Sequence, residues 1–328
     1  MIRIEQYNSG SELPLLMPGI FFHSAEFFRI LEKSSGIKPV MLVAYDGDKE
    51  KGHLLLMLKR DFRIIPPGFY NWCSIYSEGV YADDCKDYND IFSLFVKHLL
   101  KILDIRYFFV EARYIADSRT TYRTFSRFNF VPRHDLRIYI SLHSRSPEQR
   151  LSRAYQAHIR RAIARGATFG RVTDKSEQEK GLKILKKYYA SKIDRYLAPT
   201  KLLAAMLENG DSGNPDVRMF AVYNKEGKMI GCSICLYTLE RAIMLYSCGL
   251  RKSYPLLYPG IMSVWAAIKD AHERGIAHFE FSVSGAPLRQ KTGYRNFLLN
   301  FGGKQVSTLR WVRYQWEWLN KMLRKIYV

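Results

Sequence analysis

The sequence is short of acidic residues, short of cysteine, and without a long apolar run. Its 328 residues carry 31 Asp and Glu against 51 Lys and Arg, a formal charge of +20. Such a surface attracts anions: phosphates, nucleic acid, nucleotide-sugars or acidic lipid. The five cysteines, Cys73, Cys85, Cys232, Cys235 and Cys248, are odd in number and scattered, which excludes a secreted disulfide framework. Cys232 and Cys235 form a C-x-x-C, but in a stretch that reads as a strand, where i and i+3 face opposite sides; buried thiols are expected there. No stretch approaches the roughly 18 apolar residues of a membrane-spanning helix. The opening residues 1–5 read as a strand and not as a signal peptide, so the expected location is the cytoplasm, with peripheral membrane contact as a variant. Neither H-E-x-x-H nor G-x-S-x-G occurs, and the eight histidines show no ligand spacing. A metal site, a hydrolase nucleophile elbow and a nicotinamide cofactor are therefore not expected.

What remains is a basic, aromatic-rich globular chain. Its length favours two domains. Aromatics reach 14%, with 22 Tyr and 19 Phe, enough to fill a core or stack on a flat ligand. The positive charge is concentrated: residues 145–201 hold 15 Lys and Arg against 5 Asp and Glu, half the net charge of the chain. That clustering favours an anionic partner over solubility alone.

The order of elements is duplicated. Val40–Tyr45 and Val217–Tyr223 are each a strand, a polar turn and a returning strand that begins near Gly52 or Gly231, as in β-hairpins. A helix beginning near Ile91 matches one at Ile261, an offset of 170; strands at Ile105 and Ile276 follow at 171; Tyr122-Arg123-Thr124-Phe125 matches Tyr294-Arg295-Asn296-Phe297 at 172. A last strand, 136–142 or 305–312, closes each copy. Single helices between strands indicate an α/β fold with mixed sheets. The expected domains are 1–145 and 146–328, joined by a basic helix over 148–165 capped by Ser146, with a terminal amphipathic helix over 311–327 that docks on the second domain.

Three stretches resemble the FemABX family of tandem GNAT transferases. Phe22-His23-Ser24-Ala25-Glu26-Phe27-Phe28 looks like its N-terminal helix entry. Ile159-Arg160-Arg161-Ala162-Ile163-Ala164-Arg165-Gly166 looks like its basic inter-domain helix. Phe279-Glu280-Phe281-Ser282, Gly293-Tyr294-Arg295 and Phe301-Gly302-Gly303-Lys304 resemble its C-terminal strand and turn. The resemblance implies two tandem GNAT domains and transfer of an acyl or aminoacyl group to an amine of a cell-envelope or sugar-nucleotide acceptor. The donor it implies is acyl-CoA or aminoacyl-tRNA. No tRNA-binding coiled-coil arm is visible, and the usual Arg/Gln-x-x-Gly-x-Gly donor loop is absent, so the two donors stay open.

In a GNAT domain the sheet opens between its fourth and fifth strands. Gly249, Leu250, Tyr258 and Gly260 occupy that place and are expected to meet the donor, with Arg295 and Lys304 beside them; Pro259-Gly260 suits a helix start. The first copy lacks a Gly-rich loop there and reads as a degenerate, acceptor-shaping domain. Acyl transfer needs a neutral amine, orientation and a stabilised oxyanion. Lys291 is the candidate for the oxyanion or a carrier phosphate, Glu280 for the amine proton and Tyr294 for the leaving group. Glu280 also reads as a salt-bridge residue, and Tyr294 as a core residue. Lys33, by resemblance, and Arg160, Arg161, Tyr189 and Tyr196, by their basic-aromatic setting, are candidates for acceptor or phosphate contact. The basic segment also admits a second reading, a non-catalytic tRNA- or RNA-binding protein that kept the fold. Oligomeric state is not legible.

Overall fold

A computed structural model describes residues 2–61, 70–103, 106–113, 118–190, 197–210, 216–238, 241–281 and 292–327. The chain begins with β1 (Ile2–Tyr7), α1 (Ala25–Glu32), β2 (Ile37–Asp46), β3 (Lys49–Asp61), β4 (Tyr70–Tyr76), β5 (Val80–Tyr81), α2 (Tyr88–Ile102), β6 (Tyr107–Arg113), α3 (Ser118–Arg127) and β7 (Val131–Ser141). Next come α4 (Pro147–Arg150), α5 (Arg153–Ala164), β8 (Thr168–Val172), α6 (Lys175–Ala190), α7 (Thr200–Gly210), β9 (Asp216–Tyr223), β10 (Met229–Tyr237) and β11 (Arg241–Gly249). The last elements are α8 (Pro259–Glu273), β12 (His278–Phe281), α9 (Thr292–Leu299), β13 (Lys304–Tyr314) and α10 (Glu317–Tyr327). The duplicated order is present: hairpin β2–β3 answers β9–β10, α2 answers α8, and β6 answers β12.

The chain divides into two compact units, residues 1–135 with 309–328, and residues 136–308. The first unit's strands run β1-β2-β3-β4-β6-β13, with β5 on β3. Every neighbour pair there is antiparallel except β4 with β6. Its core includes Leu54, Leu56, Phe92, Phe95, Phe125 and Trp311, the last stacked on Phe125 at 5.1 Å. The second unit's strands run β8-β9-β10-β11-β12-β7, again antiparallel except β11 with β12. In both units the parallel pair is the one joined through a helix, because parallel strands need a crossover. Helix α8 is that crossover in the second unit. Its Ile261, Met262, Val264, Trp265 and Ile268 are buried, as suits a helix apolar all round. Its one central hydroxyl is satisfied: Ser263 Oγ donates to the Gly260 carbonyl at 3.1 Å.

Two expectations, on the connecting helix and on the terminal helix, are corrected. The basic helix is not continuous over 148–165. Leu151 is extended (ψ 143°) and buried, and Ser152, not Ser146, caps α5 by accepting the Tyr155 N–H at 3.3 Å. The terminal helix starts at Glu317, since residues 311–314 continue β13 and pair with β6. That strand carries α10 into the first unit, where Asn129 Nδ2 donates to Glu317 Oε1 at 2.9 Å, so the helix does not join the second. Along the chain the two units change over at 135/136, inside β7, and at 308/309, inside β13. The cysteines are free thiols, with Cys232 against the Gly181 carbonyl on one face and Cys235 in the α8-side core on the other. No described helix is long and apolar enough to cross a membrane.

Candidate active site

The second unit's parallel seam joins β11 and β12. β11 and β12 pair at Arg241↔His278, Ala242↔Phe279, Ile243↔Glu280 and Met244↔Phe281, and no described pairing follows. At the same point β11 is irregular on its other side. β10 pairs Ile234 with Tyr246 and then Cys235 with Met244, which leaves Leu245 as an extra, bulged residue. A bulge turns the strand and releases one residue's backbone groups from the ladder. Residues 245–247 are half-exposed although they lie in an interior strand. β11 is thus bulged at Leu245, at the point where its described pairing with β12 ends.

The equivalent seam of the first unit is paired at six described positions, with an irregularity of its own where Phe108 is skipped. β4 pairs with β6 from Asn71↔Tyr107 to Tyr76↔Arg113, and the Ser77 N–H donates to the Arg113 carbonyl at 2.7 Å. A buried side-chain bridge adds to it, Ser74 Oγ to Glu111 Oε1 at 2.9 Å. Burial works to raise the Glu111 pKa, but Arg113, Lys59 and Arg310 overcome it, and the carboxyl stays lowered and charged.

The start of α8 comes against the end of β11 by backbone contact. A Cβ on Gly249 would meet the Gly260 N at 2.2 Å, and one on Gly231 would meet the Pro259 carbonyl at 2.9 Å. Glycine is required at both positions for this closeness. A Cβ on Gly260, by contrast, would meet nothing within 4 Å. The first-turn N–H groups of a helix have no intrahelical acceptor and carry its positive dipole end. In α8 Pro259 lacks an N–H, and the Ile261 and Met262 N–H groups donate to the Tyr258 carbonyl at 2.9 and 3.0 Å, so the Gly260 backbone is what the helix start presents beside β11. Tyr258, just before it, is left-handed at φ 45° and ψ 48°. That conformation costs a non-glycine residue about 1 kcal/mol or more. His158 of α5 stacks on Tyr258 at 4.1 Å between ring centroids.

Basic residues gather at the same end. Arg161 and Arg165 come from α5; Arg251 and Lys252 follow β11. All four are exposed, and Arg165 Nη1 donates to the Leu256 carbonyl at 3.3 Å. Burial, with the charges of Arg161 and Arg251 adding to it, lowers the His158 pKa and favours the neutral imidazole. Burial likewise pushes the Tyr155 phenol up to about 12, with Arg251 pulling the other way. His158 Nδ1 is buried and has no partner among the described residues. Metal-ligand spacing is the wrong signal for this histidine. Its position three residues after the inward Tyr155 and four before the inward Ala162 is the usable one.

The structure brings some predicted residues together and separates others. Gly249, Leu250, Tyr258, Gly260 and Arg161 share the α8 end, and Arg160 is exposed one position along α5. Tyr189 is buried rather than presented on an open face: its hydroxyl donates to the Ser247 carbonyl at 3.4 Å and its ring meets Tyr246 edge-on at 5.6 Å. Glu280 pairs with Ile243, one position before the last described pair, and Arg241 Nη1 holds its Oε1 at 2.9 Å. Tyr294 stacks on Phe297 at 6.0 Å beside the core, and Arg295 follows it on α9 with its Nε buried. Lys304 is exposed at the start of β13, after Gly302, whose φ of 85° and contact with the Arg150 carbonyl require glycine. Lys33 is exposed in the first unit, as the C-cap of α1. Lys291 and Tyr196 lie outside the described residues. Among those described, no three His, Cys, Asp or Glu side chains gather as a metal ion would need.

Residues 150–294 match the family model described as an acetyltransferase (GNAT) domain. No curated protein matches the chain. Among solved structures the chain is similar to FemX, with TM-score 0.61 and 11% identity over 94% of each chain. It is similar to a tandem GNAT protein from the clavulanic acid biosynthesis pathway, at TM-score 0.60 and 9% identity, covering 96% of this chain and 98% of that one. It is also similar to L-PGS from Bacillus licheniformis, at TM-score 0.54 and 12% identity, covering 92% and 96%. At these identities the likeness is one of fold, the FemABX-like tandem GNAT fold.

Proposed function

We propose that this tandem GNAT chain is an N-acyltransferase that seats its activated donor in the second unit, beside the start of α8 and the bulge in β11. The observation that carries the reading is the glycine-only approach of the α8 start to the bulged strand β11, where a Cβ on Gly249 would meet the Gly260 N at 2.2 Å. The donor is an acyl-CoA or an aminoacyl-tRNA, each with a phosphate-bearing carrier that suits Arg161, Arg251 and Lys252 and the first turn of α8. The acceptor is an amine of a cell-envelope or sugar-nucleotide compound, and the first unit serves its recognition, with Lys33 among the contacts. FemX and L-PGS having this fold supports the aminoacyl branch; the GNAT domain match supports the acyl-CoA branch.

In the reaction a neutral amine attacks the donor carbonyl and the carbonyl oxygen becomes an oxyanion. Collapse expels a thiolate or a ribose hydroxyl as the amine loses its proton. Backbone groups freed at the Leu245 bulge, with Lys291, stabilise the oxyanion. Gly249 and Gly260 let the carrier approach the backbone, while Leu250, Arg295 and Lys304 flank it. Glu280 or the neutral His158 takes the amine proton, and Tyr294 serves the leaving group. Thiol release from a panel of acyl-CoAs, and deacylation of aminoacyl-tRNA in the presence of candidate amines, test the proposal. Turnover with one donor, lost when the helix start is blocked, is the expected result. Absence of turnover with every donor and amine pair contradicts it.

A further inference from the structure

We infer that the exposed face of α10 seats the protein on an anionic phospholipid surface. The inward side of the helix combines half-buried Leu319 and Leu323 with polar anchors. Asn320 is fully buried, donating to the Tyr314 carbonyl and accepting the Tyr314 N–H, both at 2.7 Å. Arg324 Nη1 donates to the Ser126 carbonyl at 2.8 Å and to Asn129 Oδ1 at 3.2 Å. Outward, Trp318, Met322 and Ile326 are 65%, 45% and 66% exposed. Their spacing of four residues sets them in one line along the helix. Soluble surfaces expose such residues singly; a contiguous apolar line marks an interaction surface.

The chemistry of the occupant follows from what borders that line. Lys321 and Lys325, both exposed, lie beside it on the solvent half, and Trp316, 45% exposed, precedes it. An apolar stripe edged by lysines and tryptophan suits the interface of a bilayer. The stripe enters the acyl boundary and the ammonium groups reach lipid phosphates. A second copy fits less well, because each carries a net charge of +20. This surface lies in the first unit and does not depend on the reading of the donor site.

The full chain is tested by co-sedimentation with phosphatidylcholine vesicles, with and without phosphatidylglycerol. The apolar variant Trp318→Ser/Met322→Ser/Ile326→Ser keeps every charge, so it separates the helix from the general attraction of a basic protein. It is expected to weaken partition into phosphatidylglycerol vesicles by roughly tenfold or more, with an unchanged melting temperature. Lys321→Gln/Lys325→Gln is expected to weaken binding in a salt-dependent way. As a measurement that needs no variant, brominated phosphatidylglycerol is expected to quench tryptophan emission of the parent protein. Parent-like binding by the apolar variant overturns the inference, as does absence of quenching. So does loss of self-association in sedimentation velocity by that variant with vesicle binding intact.

Discussion

Replacing Gly260 by alanine separates what α8 does for the fold from what its first turn does for chemistry. The added methyl has no neighbour within 4 Å, and Gly260 is not among the positive-φ residues. Alanine at such a site narrows the unfolded ensemble and stabilises by about 0.4–1 kcal/mol. For a body of this size that is a rise of about 1–4 °C in melting temperature. The same methyl stands in front of the helix start where the donor's carrier is proposed to lie. Overpacking of one methyl against a ligand costs about 1–3 kcal/mol, or about fivefold to 150-fold in donor KM or Kd. Thermal melting and donor-saturation kinetics on one preparation read both effects. A protein that melts higher and keeps its donor constants would refute the proposed path of the donor past Gly260.

The remaining predictions test neighbouring claims. Gly249→Ala sets a Cβ 2.2 Å from the Gly260 N; since backbone must move, it is expected to lose about 1–3 kcal/mol of stability in denaturant titration. Glu280→Gln keeps a hydrogen-bonding oxygen for Arg241. If Glu280 is the base, kcat falls about 10²-fold or more with KM little changed; if it only ties β12 to β11, Arg241→Ala reproduces its small effect. Arg161→Ala/Arg251→Ala removes two cations that depress the His158 pKa, so an imidazole NMR titration is expected to move upward. The fourth concerns His23, fully buried, whose Nδ1 accepts the Leu55 N–H at 2.9 Å. Burial, then the neighbouring His53, lowers its pKa from 6.5 to about 3. The unfolded chain then binds the proton first, so this contribution is whole above about pH 6.5 and declines as the pH falls toward about 3, by up to about 1.4 kcal/mol per unit. His23→Gln is expected to flatten that acid limb in melting temperature against pH, and an unaltered limb counts against the assignment.

The duplicated architecture was legible because hydrophobic periodicity survives in both copies: Ile91 and Ile261 both enter buried helices at matching places. Boundaries were less so, for local reasons. Ser152 breaks the basic helix with a side-chain bond that Ser146 does not make, and the residue types alone do not rank two such serines. Trp311 and Tyr314 keep helical spacing with Trp318, yet the first two belong to β13. Both pair with β6, about two hundred residues earlier, which local periodicity cannot report. At the site, Gly249 and Gly260 could be named from their order, but the Leu245 bulge could not. It exists only as a register between β10 and β11, and leucine there reads like any strand residue. His158 was hidden for the same reason, since its neighbour Tyr258 is a hundred residues away.

Hydrogen exchange on the full chain, with and without a saturating acyl-CoA and then an aminoacyl-tRNA, addresses the donor seat most directly. Protection by one donor at residues 245–250 and 258–262, with β4 and β6 unchanged, is the predicted pattern. Protection confined to the first unit, or a donor that turns over without slowing exchange along β11, would contradict it.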